Sequence, residues 1–416
     1  MMRPNGRAFK DERVTIMAFG LTKKELSWVL YDVGNSAFVM LSTALIPVYF
    51  ASIADPGSSV VVAWGYAETV ASLVLALLMP VLGSLADLAG NKKKFLVGFA
   101  GTGAVACAAL GIPEHALVFL VVYVIAAIML NGSMVFYDAF LVDATTEERY
   151  DKVSSHGYAW GYIGSCIPFI ACLAVVLGGS SFGIDAKLGM KIAFIITAVW
   201  WVIFTVPVAK NVKQLHGKKR SDHVLRTTIS GLKGTVKSIM KDKRLLFFML
   251  AFFFYIDGVH TVIKMSTSYG TDLGIDSTQL VLALLVTQFV AFPSAIAYGN
   301  LAKRFGTKRM LKVGVLAYFF IVLFAAFFLK SAVEFWILAI CVGLFQGGIQ
   351  ALSRSEYGKL IPKEHANEYY GFFDIFGKYA TVLGTLLVSV FTQITGNSSI
   401  GVLSIAVLFI IGFVLM

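Results

Sequence analysis

The chain has 416 residues, of which 58% are hydrophobic and only 14% charged, with 34 Phe and a formal net charge of +11. A soluble domain carries about a quarter charged residues, so these proportions exclude an ordinary water-soluble enzyme or binding module. Apolar stretches of about 18 residues or more recur along the whole length, each able to cross a bilayer as a helix, and the chain reads as an all-α integral membrane protein.

The first segment, Met1–Gly20, is basic but lacks the apolar core and small-residue cleavage site of a secretory signal. The first helix is therefore expected to act as its own insertion signal. Hydropathy places twelve spans near 28–51, 60–82, 94–112, 115–141, 155–178, 188–209, 245–269, 278–301, 310–329, 333–353, 371–394 and 399–416. Most of the 35 Lys and Arg then collect on one side. The opposite loops hold only Lys187, Lys191 and Lys330, while Lys264 and Lys378 lie within helices. By the positive-inside rule the basic side, with both termini, is cytoplasmic, and the positive balance reflects topology rather than nucleic-acid binding. The four cysteines, Cys107, Cys166, Cys172 and Cys341, form no metal or redox pair and read as small packing residues.

Asp32 and Asn35 lie about a turn apart near the start of span 1, where Asp32 can gate, couple an ion, reach water or pair with Lys23 or Lys24. Glu68 sits deeper, in span 2, and acids at that depth face a cavity or a partner. Next comes GSLADLAGNKK, Gly83–Lys93. Gly83 lets two helix backbones approach closely, and Asp87 suits the positive end of a neighbouring helix. Gly90 permits a tight turn, and Lys92 and Lys93 are expected to face the cytoplasm. Span 5 carries Gly157, Gly161 and Gly164 along one side, as close helix packing requires.

The loop pattern returns as GNLAKRFGTKR at Gly299–Arg309, about half the chain later and again after the second span of a set of six. A fainter echo links Asn131-Gly132 to Gly347-Gly348. These repeats predict two six-helix bundles, 1–209 and 245–416, in parallel repeat about an axis normal to the membrane. The basic linker between them, 210–244, shows Leu225, Ile229, Leu232, Val236 and Ile239 at helical spacing, predicting an amphipathic helix on the anionic leaflet.

Span 7 holds FFFYIDGVHTVIK, Phe252–Lys264. At about 100° per residue, His260 and Lys264 fall within about 60° and 20° of Asp257, one narrow face covering about 10 Å of depth. Such a face is too costly to point at lipid. Either Asp257 and Lys264 brace each other, or they address the two charges of a zwitterion, with His260 or Asp257 carrying a proton. Further along, Gln346 and Gln350 lie a turn apart in span 10 and can hydrogen-bond a solute or a neighbouring helix. Arg354 and Glu356 follow near the basic surface, Arg354 read as a gate pairing ahead of a solute contact. In span 11 Asp374 and Lys378 have the spacing of an intrahelical ion pair, although Lys378 is deep enough to face a cavity.

The pattern G-x-L-A-D-x-x-G-x-K-K resembles the loop signature of the major facilitator superfamily, and its departure at Leu88, where an Arg commonly stands, removes one ion pair from the latch the family makes there. YDVGNSAF, FYDAFLVD, SSHGYAWGYIG, YIDGVHTVI, QGGIQALSRSEYGKLIPKE and EYYGFFDIFGKYATVLG narrow the resemblance to the vacuole-effluxer branch, the autophagy-related amino-acid effluxers and their bacterial relatives. The resemblance implies a twelve-helix major facilitator fold and secondary active export of a small polar solute, amino acids first, by alternating access. It implies gating by Gly83, Asp87, Gly90 and Lys92. A proton or other ion, the bilayer of a bacterial inner membrane and a monomeric state complete the expectation. A proton-coupled exporter of sugars or amphipathic drugs, or a non-transporting scaffold, are the alternatives. No nucleotide loop, metal cluster or nucleophile constellation appears, so no enzymatic chemistry, metal or cofactor is expected.

Overall fold

The computed structural model describes residues 18–54, 60–218 and 224–416. Helix α1, Lys23–Ala44, opens on a reciprocal cap: Thr22 Oγ1 accepts from the Glu25 N–H at 3.2 Å, and Glu25 Oε2 accepts from the Thr22 N–H at 2.7 Å. It runs into α2, Ile46–Ile53, across a 44° bend. Pro47 lies in the first turn of α2, where its missing N–H removes one rung of a continuous ladder and sets the bend.

Helices α3 (Val60–Ala86), α4 (Lys92–Ala109), α5 (Ala116–Ala139), α6 (Leu141–Ala144), α7 (Tyr150–Gly178) and α8 (Ala186–Asn211) complete the part before the linker. The linker contains α9, Val224–Lys241. After it come α10 (Lys243–Asp272), α11 (Ser277–Phe305), α12 (Thr307–Phe328), α13 (Ala332–Leu360), α14 (Ala366–Thr395), α15 (Ser398–Ser404) and α16 (Ala406–Leu415).

Among the described residues ten helices are long and apolar enough to cross a membrane, or eleven with α1 and α2 taken as one bent span. The remaining predicted span, 94–112, is occupied by α4. It is only 18 residues long and opens on Lys92, Lys93 and Lys94, which leaves a short apolar remainder. It nonetheless packs between α5 and α8.

Before the linker, α1 packs on α7 and α8, and α3 on α5; after it, α10 packs on α14 and α16, and α11 on α13. The two groups meet where α7 lies against α11 and α13, and where α3 lies against α14. Small residues allow this: a Cβ on Gly347 of α13 would stand 2.9 Å from the Tyr162 ring of α7. We call the end where α3 turns into α4 and α13 turns into α14 the linker end, because the segment after α8 crosses it.

Helix α9 rests on α3 and α10. Of its predicted apolar face, Ile239 is buried in protein and Val236 is exposed, while the Leu225 and Ile229 side chains fall outside the described residues. Ile239 therefore packs on the protein and not on the leaflet.

Candidate functional site

The linker end is closed by polar contacts between the two groups of helices, and Arg354 is at their centre. The residue lies near the end of α13 and is 1% exposed. Its Nη1 donates to Asp138 Oδ1 of α5 at 2.9 Å and approaches Asp32 Oδ2 of α1 at 3.5 Å. Nε donates to Ser154 Oγ of α7 at 2.9 Å, and Nη2 donates to the Ser154 carbonyl at 3.0 Å. The guanidinium carbon stands 4.3 Å from the Tyr158 ring centre, 4.7 Å from Trp28 and 5.3 Å from Tyr137. A buried cation is tolerable only when paired and hydrogen-bonded throughout, and aromatic faces add cation–π attraction.

Tyr137 donates its hydroxyl to Asp32 Oδ2 at 2.7 Å, and Asn35 Nδ2 donates to Asp32 Oδ1 at 3.4 Å and to the Tyr31 carbonyl at 3.0 Å. Gly157 closes the floor, where a Cβ would meet Asp32 Oδ2 at 2.7 Å and Arg354 Nη2 at 2.9 Å. That glycine is needed for the charge cluster as well as for helix packing. Asp32 is buried against Arg354, which corrects the pairing with Lys23 or Lys24 left open by the sequence. Arg354 and Glu356 are both buried, not close to the surface, and α1, α5 and α7 enclose Arg354.

Two further bridges flank the cluster. Asp151 of α7 accepts from Lys359 Nζ at 2.8 Å, from Ser355 Oγ at 2.5 Å and from Thr307 Oγ1 at 2.8 Å, all across the seam. On the other side, Asp87 Oδ1 accepts from the Asn367 N–H at 2.9 Å and Nδ2 at 2.8 Å, while Oδ2 accepts from the Glu368 N–H at 3.0 Å. These are donors of the first turn of α14, where a carboxylate meets the positive helix end. Gly83 makes the approach possible, since its Cβ would lie 2.6 Å from the Asn367 carbonyl oxygen.

Gly90 adopts φ +83°, the left-handed turn conformation glycine tolerates. Lys92 does not face the solvent as predicted. It is fully buried, with Nζ 2.6 Å from Asp143 Oδ2 and 3.2 Å from the Ala139 carbonyl, because the end of α5 and α6 folds over it.

The stripe of α10 is placed elsewhere. Asp257 is fully buried, and its Oδ1 accepts from the Gly384 N–H of α14 at 2.9 Å and from Thr261 Oγ1 at 3.2 Å. His260 is half-buried against the Gly377 backbone, and Lys264 is exposed. No ion pair joins Asp257 to Lys264, which removes the brace as one of the two alternatives: seven residues of helix set them about 10 Å apart, and Asp257 turns to α14 instead. Glu68 is exposed on α3 and accepts from the Tyr123 hydroxyl of α5, apart from the Arg354 cluster. Gln346 lines a small cavity with Val262, Thr287, Phe335 and Val342, and Gln350 is half-buried one turn from Arg354. The Lys378 side chain lies outside the described residues.

Sequence reasoning missed Asp138, Ser154 and the ring of Trp28, Tyr137 and Tyr158. One signal was present: Asp138 interrupts an apolar run as Glu68 does, and the same cost argument applies to it.

A family model described as "Vacuole effluxer Atg22 like" matches residues 58–416. The chain is 46% identical over 404 residues to the uncharacterized MFS-type transporter YxiO of Bacillus subtilis, covering 95% of this chain and 94% of that one. It is 27% identical over 283 residues to autophagy-related protein 22 of Cryptococcus neoformans, of whose length the match covers 48%. Among solved structures, the major facilitator transporter FucP in its outward conformation superposes with a TM-score of 0.72 at 14% identity, over 94% of this chain and 97% of that one. The human organic anion transporter MFSD10 gives 0.69 at 13% identity, over 94% and 98%. These likenesses establish the major facilitator fold.

Proposed function

The chain belongs to the Atg22-like vacuole effluxer family and is a transporter of major facilitator type, not an enzyme, and we propose that it is a secondary active exporter of small polar solutes, amino acids first. The two groups of helices, 1–209 and 245–416, act as bundles that rock about the seam between them, and the linker end is the cytoplasmic one. The present conformation is closed there.

The observation that carries this reading is Arg354, a fully enclosed cation held by carboxylates and a hydroxyl of the opposite group. A permanent seam between bundles is more stably built from apolar packing. A charged seam can come apart into water, where each of its members is solvated. The cluster is also unbalanced, with Asp32 and Asp138 facing one guanidinium. One missing positive charge makes it the place where a coupling proton is held while the end is shut. Asp32, Asp138 and Arg354 thus form the gate and coupling site, with Asp87 and Asp151 as flanking latches. Gln350, one turn from Arg354, marks the side from which solute approaches. Asp257 braces α10 against α14, and Lys264 and Glu68 are the exposed charges available to a zwitterion.

Flux in proteoliposomes tests this. With an imposed pH gradient, the wild type accumulates at least one labelled amino acid, and Asp138→Asn loses the accumulation while keeping solute exchange. Absence of amino-acid flux, or accumulation by Asp138→Asn equal to wild type, contradicts the reading.

A further inference from the structure

The segment between α8 and α9 is docked on the loop motif over its described length. Leu88 and Lys218 pair as a parallel bridge: the Ala89 N–H donates to the Lys218 carbonyl at 3.1 Å, and the Lys218 N–H donates to the Asp87 carbonyl at 2.7 Å. Gln214 Oε1 accepts from the Gly90 N–H at 2.9 Å and the Lys92 N–H at 3.2 Å. Asp143 Oδ1 accepts from the N–H groups of Leu215 and His216, both at 2.8 Å. Gly217 lies flat against the loop, where a Cβ would be 3.0 Å from the Asp87 carbonyl oxygen and 3.2 Å from the Ala89 Cα.

All these bonds join the strap to the part of the chain before the linker. One side chain leaves it. Lys218 Nζ reaches Glu368 Oε2 of α14 at 2.6 Å, with Glu368 fully buried and Lys218 only 21% exposed. Glu368 is the residue whose N–H binds Asp87 Oδ2. A single acid of α14 is therefore held twice across the seam, by its amide through Asp87 and by its carboxylate through Lys218.

We infer that the linker strap Val212–Lys218 is a working part of the gate, with Lys218 a positioning residue that holds the start of α14 against Asp87 while the linker end is shut. Many main-chain bonds keep the strap on its own side of the seam, so the lysine is presented at a fixed height and does not search for its partner. When the bundles separate, the strap remains on the loop and, of the contacts described for the strap, only the Lys218–Glu368 pair breaks. A solvated tether would connect the halves without biasing their position. A docked strap with one charged arm favours closure, and the linker thereby shifts the closed–open equilibrium of the transport cycle.

This inference rests on the alternating-access reading, but its test needs no solute. Spin labels at Lys94 and Lys308, exposed residues at the starts of α4 and α12, report the separation at the linker end in nanodiscs, in a background without the four native cysteines. Lys218→Met keeps the aliphatic stem and every main-chain bond of the strap. It is expected to raise the population with the long label distance about tenfold, the scale of one charge-assisted hydrogen bond lost across a two-state equilibrium. Lys218→Arg is expected to restore the wild-type distribution, and Gly217→Val, which lifts the strap, to reproduce Lys218→Met. A Lys218→Met distribution equal to wild type overturns the inference. If Lys218→Met shifts the distances while no amino-acid flux is found, the strap stands and the substrate assignment falls.

Discussion

Among single residues, Asp87 makes the most specific demand. Burial pushes its carboxyl up to about 6, against the opposing pull of Lys92 and the Asn367 N–H. Burial prevails because the nearby cations are already committed, Lys92 to Asp143 and Lys218 to Glu368. When the end opens, Asp87 meets water and returns toward the ordinary value of about 4. The closed form has the higher value, so closure takes up a proton between those limits. The closed population therefore rises as pH falls from 7 toward 5, and levels off below about 4. Label distances recorded across that range check it, with Asp87→Asn expected to remove this part of the dependence. A pH response identical in Asp87→Asn and wild type contradicts the assignment. The motif names Asp87 but not its partners. Asn367 and Glu368 lie about half a chain away, and only the closed seam brings them together. The same holds for Arg354, whose position is plain in the run QGGIQALSRSE while Asp32, Asp138 and Ser154 come from three separate helices.

Elements were more legible than contacts. Hydropathy and length located the spans because a bilayer leaves little choice of structure. Departures have local causes: Pro47 divides the first span into α1 and α2, and Lys92–Lys94 shorten the apolar part of α4. Helix α10 shows where periodicity stops being informative. The angular step placed Asp257, His260 and Lys264 on one side, yet one side of a helix can meet a neighbour at one depth and open space a few turns away. Asp257 meets α14 at Gly384, and Lys264 meets no partner among the described residues. The α10–α14 seam carries its own prediction. A Cβ on Gly384 would contact Thr261 Oγ1 and stand 2.6 Å from Asp257 Oδ1, so Gly384→Ala overpacks the seam by about 1–3 kcal/mol. Thermal unfolding in detergent should show a lowered midpoint, partly recovered by adding Thr261→Ala, since the two sites share one space. An unchanged midpoint would mean that α14 can yield there.

At the scale of the whole molecule, the loop motif recurs at Gly83–Lys93 and Gly299–Arg309, but the closed seam is not symmetric. The first copy carries Asp87, which engages α14, while the second has Lys303 at the corresponding place. Over its described residues the strap that follows α8 lies on the first copy, and the enclosed arginine comes from the part after the linker while its carboxylates come from the part before it. Asymmetry of this kind lets one end of a repeated scaffold be held by ionic contacts that water can replace. The role of the buried charge is tested most simply by the separation at the linker end in Arg354→Gln, measured between labels at Lys94 and Lys308. A dominant short distance is expected in the wild type, and in Arg354→Gln a majority long distance with loss of gradient-driven flux. A short, unaltered distance in Arg354→Gln would show that the seam is held shut without its buried charge, and would contradict the gate.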